Sequence, residues 1–172
     1  MNYKKYDILH FVPTKLYVCS LIVFSIAFLS GCWSSSNSDV TKESALKVIN
    51  VLDKSYFNDC HIKGSINIPF EEFEDSLKSL LKNDKYVIYC SNYACTAAPY
   101  AAQLMKDSGF KHVMLLPGGM VEWYQKNLPC SGSAQLQYLK EDNPVLDEHG
   151  HEGLEEITPE QLYEKLKEAK LL

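Results

Sequence analysis

The chain of 172 residues contains no arginine, so all 17 of its basic side chains are lysines. The planar guanidinium fork that grips carboxylates and phosphates two bonds at a time is therefore excluded. Any anion site must be built from backbone N–H groups, lysines or helix N-termini. Positive charge is scarce in general. There are 22 acidic residues and the net charge is −5. No stretch forms a basic patch, which argues against nucleic acid as a partner. A long hydrophobic run is also missing. The apolar segment "LYVCSLIVFSIAFL", Leu16 to Leu29, is about 14 residues long, short of the ~20 that cross a bilayer comfortably. What is present is ordinary for one globular domain: 46% hydrophobic and 23% charged residues.

The apolar segment follows Lys4, Lys5 and Lys15 and runs into Ser30, Gly31 and Cys32. A basic start, an apolar stretch of this length and small residues at its end have the order of an export signal. The string "LSGC" resembles the lipobox of bacterial lipoproteins. That resemblance implies a signal peptide over 1–31, cleavage before Cys32 and lipidation of Cys32, with 32–46, including "SSSNS", as a polar tether. The other reading is an uncleaved anchor helix. Both place the remainder outside the cytoplasm in the cell envelope, on the periplasmic side of a membrane if the cell is Gram-negative, with the membrane as a partner through the anchor. Trp33 after Cys32 shows no aspartate retention signal, which points to the outer membrane where one exists. Of six cysteines, Cys60, Cys90, Cys95 and Cys130 then remain in an oxidising setting, and four thiols pair in three ways.

From residue 47 onward the pattern alternates strand and helix. "KVINVL" (47–52), "INIPF" (66–70), "YVIYC" (86–90) and "HVMLL" (112–116) read as strands, the third apolar throughout and so central and parallel. "SYFNDCHIKGS" reads as a loop. "EEFEDSLKSLLKN" spaces Phe73, Leu77, Leu80 and Leu81 as one helical face. "AAPYAAQLMKDSGF" is a helix starting near Thr96, with Pro99 in its first turn and Gly109 at its end. "PGGMVEWYQKN" is a glycine turn and a short helix. Such alternation predicts an α/β layer fold, a small parallel sheet flanked by helices. Residues 132–172 are more polar and read as a C-terminal extension. Within it "ITPEQLYEKLKEAKLL" carries a helix start: Thr158 as cap, Pro159 at the first position and Gln161 completing a capping box.

Chemistry concentrates in "YCSNYACTAAPY", Tyr89 to Tyr100. A strand ends in Cys90, a short loop follows, and a helix begins. Loop N–H groups and a helix N-terminus converge near such a sulfur, favouring thiolate and able to hold an anion. Cys90 is therefore the candidate nucleophile, and attack on a sulfur donor would leave a persulfide on it. The candidate anion cradle is Ser91, Asn92, Tyr93, Ala94 and Thr96, with Cys95 at the loop's end. The pattern calls for no cofactor and no metal.

Three blocks in order resemble the rhodanese family: "INVLDKSYFNDCHIKGSINIP", "VIYCSNYACTAA" and "SGFKHVMLLPGGMVEWYQKNLP", the last with Gly118, Gly119 and Trp123 in register. The resemblance covers about 47–131 and implies a rhodanese-like domain. It also implies sulfur transfer from a donor such as thiosulfate through a persulfide on Cys90. The chain departs from the family at Asn50, Leu52 and Cys60. It departs also at Cys95, where many active members carry an arginine. Cys95 is a resolving thiol, a second sulfur acceptor or a packing residue. The functional expectation is a sulfurtransferase or thiol-redox protein that acts on a small sulfur-containing anion or a protein thiol. The alternative is a non-catalytic, membrane-anchored binding module with the same fold.

Other residues carry less. His61 reads as a pin for its loop and Trp123 as core. Cys60 and Cys130 either form a structural disulfide or stay free. "DEHGHE" (147–152) matches no metal-ligand spacing and reads as a solvated acidic loop. The C-terminal helix either folds back onto the domain or begins a second repeat.

Overall fold

A computed structural model describes residues 44–143, 151 and 153–172. The signal segment, Cys32, the tether up to residue 43 and most of "DEHGHE" lie outside the described residues.

The regular elements are β1 (Leu46–Asn50), α1 (Lys54–Asp59), β2 (His61–Ile62), β3 (Ile66–Asn67), α2 (Phe70–Ser76), β4 (Lys85–Tyr89), α3 (Ala97–Asp107), β5 (His112–Leu115), α4 (Gly119–Gln125), β6 (Cys130–Ser131), β7 (Glu155–Glu156) and α5 (Pro159–Glu168). Single 3₁₀ turns follow α2 and precede β7, at Leu77–Ser79 and Gln137–Lys140. Five strands form one parallel sheet in the order β3-β1-β4-β5-β7. β2 and β6 form a separate antiparallel pair.

Side chains alternate across β4 as a strand requires. Tyr86, Ile88 and Cys90 enter one core layer with Phe73 of α2 and Ala98, Ala101, Ala102 and Met105 of α3. Val87 and Tyr89 enter the other with Met120 and Trp123 of α4 and Leu162 and Leu166 of α5. The fold is thus an α/β sheet with helices on both faces. A strand covered on both sides must be apolar along its whole length, which is why "YVIYC" shows no polar alternation.

The loop reading of 55–65 is corrected. It contains α1 and β2. No side chain of α1 is buried, so no apolar stripe existed to be read. The strand reading of 66–70 shortens to two residues, because Pro69 has no N–H to give a ladder and caps α2 instead. The helix end at Gly109 appears as expected. Its φ is +84°, and the Phe110 N–H reaches back to the Met105 carbonyl.

Residues 155–168 are part of the same layered core. β7 adds a parallel edge strand to β5. Ile157, Leu162 and Leu166 are buried beside Val48, Tyr89 and Trp123. The capping box closes in both directions, with the Gln161 N–H to Thr158 Oγ1 at 3.3 Å and the Thr158 N–H to Gln161 Oε1 at 3.0 Å. Upstream, the Asp59 carboxylate accepts from Ser133 Oγ and from the N–H groups of Gln135 and Leu136, at 2.9 to 3.0 Å. This ties the polar segment after β6 to the end of α1.

Candidate functional site

β1 leads off to one side of the sheet and β4 to the other, which makes the carboxyl end of β4 the kind of switch point where open α/β sheets usually hold ligands. Cys90 is the first residue past that end. It is only 1% exposed. Two N–H groups of α4 fix the backbone here, Met120 to the Cys90 carbonyl and Val121 to the Ser91 carbonyl, both at 2.9 Å. This close approach depends on Gly119. Its φ is +57°, and a Cβ there would sit 2.6 Å from the Cys90 and Ser91 carbonyl oxygens.

The loop 91–96 folds tightly over Cys90. The Cys90 thiol points at the Cys95 carbonyl oxygen, 3.5 Å away. Cys95 is half-buried and packs against the same core layer as Cys90. The Cys90 thiol, the backbone N–H groups of Ala97 and Ser91 and the Ser91 hydroxyl favour the thiolate form of Cys95. Thr96, the N-cap of α3, makes no side-chain cap bond.

These contacts split the two thiols. The Cys90 S–H, and then the N–H groups of Ala97 and Ser91, hold Cys95 down to about 5 against the cost of its partial burial. Cys90 is pushed well above its ordinary value, first by burial and then by Cys95 beside it. The two thiols bear on each other, so their titration belongs to the pair.

The predicted cradle residues are brought together, but much of their donor capacity is used within the protein. Asn143 Oδ1 accepts the Tyr93 N–H at 3.1 Å, Asn92 Oδ1 the Ala94 N–H at 3.2 Å, and the Asn92 carbonyl the Cys95 N–H at 3.1 Å. The Tyr93 hydroxyl donates to Glu122 Oε2 at 3.1 Å. Burial and the carboxylates of Glu122, Glu156 and Glu160 push this phenol up to about 12. Lys126 bridges Glu122 and Glu160. No ion pair among the described residues involves the loop itself.

Asn143 is the residue that sequence reasoning missed. It lies 50 positions beyond Tyr93, and its Nδ2 also donates to the Gly118 carbonyl at 3.0 Å. One side chain thus joins the loop to the turn before α4. Beside the loop's end, Phe70 and Tyr100 meet edge to face with centroids 5.6 Å apart and line a shallow groove with Glu71, Glu74 and Thr96.

The remaining candidates lie elsewhere. His61 stacks on Phe57 and its Nδ1 lies 2.7 Å from the Phe57 carbonyl oxygen, a pinning role. Trp123 is fully buried and donates to the Pro129 carbonyl. Cys60 and Cys130 are neighbours on the opposite face of the sheet, both as free thiols. Burial, then Cys130 beside it, push Cys60 up to about 12. Of the acidic loop, His151 is described and holds Glu156 at 2.9 Å.

Comparison with known proteins fits this geometry. The sequence model of the rhodanese-like domain matches residues 37–126, just over half of the chain. The chain is 38% identical over 76 residues to an HTH-type transcriptional regulator of Mycobacterium tuberculosis, covering 44% of this chain and 33% of that one. It is 31% identical over 87 residues to a putative sulfur carrier protein of Bacillus subtilis, covering 51% and 46%. It is 26% identical over 88 residues to a thiosulfate sulfurtransferase of Shewanella oneidensis, covering 51% and 85%. The chain spans less than half the length of the first two. The shared portion carries the loop and both of its cysteines' flanking elements, and on that ground the chain belongs to the rhodanese-like domain family.

Proposed function

We propose that this protein handles sulfane sulfur, or exchanges thiol for disulfide, at the loop that holds Cys90 and Cys95. The observation that carries the reading is a pair of free thiols in one core layer where β4 hands over to α3, with Cys90 Sγ 3.5 Å from the Cys95 carbonyl oxygen. A thiolate at neutral pH is the reactive form of cysteine toward a sulfur donor or a disulfide. Kinship with a sulfur carrier and a sulfurtransferase supports the same chemistry. The substrate is a small sulfur compound or a protein thiol.

The test is turnover. Purified protein given cysteine persulfide and an excess of dithiol should release sulfide or pass sulfur on, and the double variant Cys90→Ser, Cys95→Ser should not. Equal rates in both would leave the binding-module reading, for which the deep burial of Cys90 speaks.

We also propose, from "LSGC" alone, that the chain is anchored by lipid at Cys32 on the extracytoplasmic side of a membrane. Detergent-phase partitioning of the expressed protein, lost on Cys32→Ala, is the expected outcome. Partitioning of that variant unchanged would contradict it.

A further inference from the structure

The sulfur-handling reading, on which this inference rests, leaves open what kind of molecule meets the loop. Beside the loop's end, α2 and α3 enclose a groove of about 700 Å³. Thr96 and Ala97, the two residues after Cys95, line it, so the groove starts where the loop stops. The fold leaves large rings open along it. Tyr100 is 64% exposed and Phe70 38%, in edge-to-face contact with each other. From Thr96 to Leu104 the α3 wall runs about 12 Å at the helical rise, as long as about four extended residues. A single small anion leaves most of that length empty.

Charge argues the same way. Glu71 and Glu74 line the groove and no lysine does. Neither carboxylate takes part in an ion pair among the described residues, and Lys78, in the turn after α2, pairs with Asp75 instead. Glu71 sits in the first turn of α2, where a carboxylate helps a helix start, but Glu74 lies beyond that turn. On the other side of the loop Glu122 accepts from the Tyr93 hydroxyl. The N–H groups of Tyr93, Ala94 and Cys95 are taken inside the protein. A free sulfur dianion is repelled by such a rim, and a cation is drawn to it.

We propose that the sulfur acceptor is a protein, and that it docks in the groove between α2 and α3 through a basic segment beside its own cysteine. An apolar side chain covers Phe70 and Tyr100, a lysine or arginine meets Glu71 and Glu74, and the cysteine comes to the loop. There its thiolate attacks the outer sulfur of a persulfide on Cys90. The new sulfur–sulfur bond forms on the partner, the bond from Cys90 Sγ to the outer sulfur breaks, and its electron pair stays on Cys90 as thiolate. The outer sulfur keeps its proton.

The test uses the full chain, cysteine persulfide as donor and two short synthetic peptides as acceptors. Each peptide has one cysteine flanked by leucine, and one carries lysines where its twin carries glutamates. Initial rates above the protein-free background should favour the lysine peptide at least tenfold at low salt. The advantage should fall below about threefold in 0.5 M salt, because the rim is exposed and screened. The double variant Glu71→Lys, Glu74→Lys should turn the preference toward the glutamate peptide. Equal rates with both peptides, or a preference that the double variant leaves unchanged, would overturn the proposal. Transfer to dithiothreitol but to neither peptide would overturn it and leave the sulfur-handling reading standing. No transfer to any acceptor would bring down that reading and this proposal with it. Should the double variant fail to fold, p-benzoylphenylalanine in place of the exposed Tyr100 locates the occupant. Illumination should join it to the lysine peptide, whereas crosslinks only to this chain's own residues 1–43 or to a second copy would overturn the assignment.

Discussion

The domain holds two pairs of neighbouring thiols, one on each face of its sheet, and they behave oppositely. Cys60 and Cys130 lie where β2 and β6 meet, packed among Ile62, Tyr89 and Trp123. Burial there raises Cys60 to about 12, so it stays a protonated, inert thiol. Cys90 and Cys95 lie where a strand hands over to a helix, and Cys95 is held near 5. Residue type and proximity are the same in both. What differs is first the neighbouring thiol, which lowers Cys95 but raises Cys60, and then the supply of backbone N–H groups at a helix start.

The largest effect that sharpens this comparison concerns activity. The double variant Cys90→Ser, Cys95→Ser should lower sulfur release at least 100-fold, while Cys130→Ala should leave it within about twofold, measured as initial rates with cysteine persulfide. Comparable losses in both would erase the distinction between the pairs.

The next effect is on stability. Leu166→Ala empties a fully buried position where α5 meets the sheet and should cost about 2–5 kcal/mol in urea unfolding. Removing 155–172 should lower the melting temperature by many degrees. An unchanged melting curve would show that this segment contributes nothing to the core.

Gly119→Ala probes the platform under the loop. Its left-handed backbone and the 2.6 Å contacts awaiting a Cβ predict a loss of roughly 1–3 kcal/mol together with weakened activity. At Gly153 a Cβ would meet nothing within 4 Å, so only the cost of its left-handed backbone, φ +78°, about 1–2 kcal/mol, is expected there, with activity unchanged.

Two smaller effects concern pH and the loop clamp. The Cys95 pKa is lower in the folded chain than in the unfolded one, so between pH 5 and 9 the unfolded chain binds the extra proton. Cys95 therefore adds stability that is complete above the unfolded value and is lost as pH falls through about 5. The groups facing its sulfur are Cys90, Ser91 and the first N–H of α3. Cys95→Ser should flatten that part of the stability profile. Asn143→Ala should cost about 1 kcal/mol, the worth of its bonds to Tyr93 and Gly118. It should also speed amide exchange at Tyr93.

Much of this was legible in the sequence, for physical reasons. A strand buried on both faces must be apolar, so "YVIYC" announced the central strand. Small residues after Cys95 announced a helix start, and Thr158 with Gln161 announced another. What stayed hidden left no pattern. α1 buries no side chain. β7 is two exposed glutamates that give the sheet only their backbone, so the place of the C-terminal helix beside β5 could not be read from periodicity. Asn143 sits in a polar stretch, and only the folded chain brings it to Tyr93.

The most direct test of the central claim is peptide mass mapping of the reduced protein before and after cysteine persulfide, with no reductant added afterwards. The account predicts a change confined to the 90–95 peptide, either one added sulfur atom or a Cys90–Cys95 disulfide, with Cys60 and Cys130 unmodified. Sulfur spread equally over all four cysteines, or found only at Cys60 and Cys130, would contradict it.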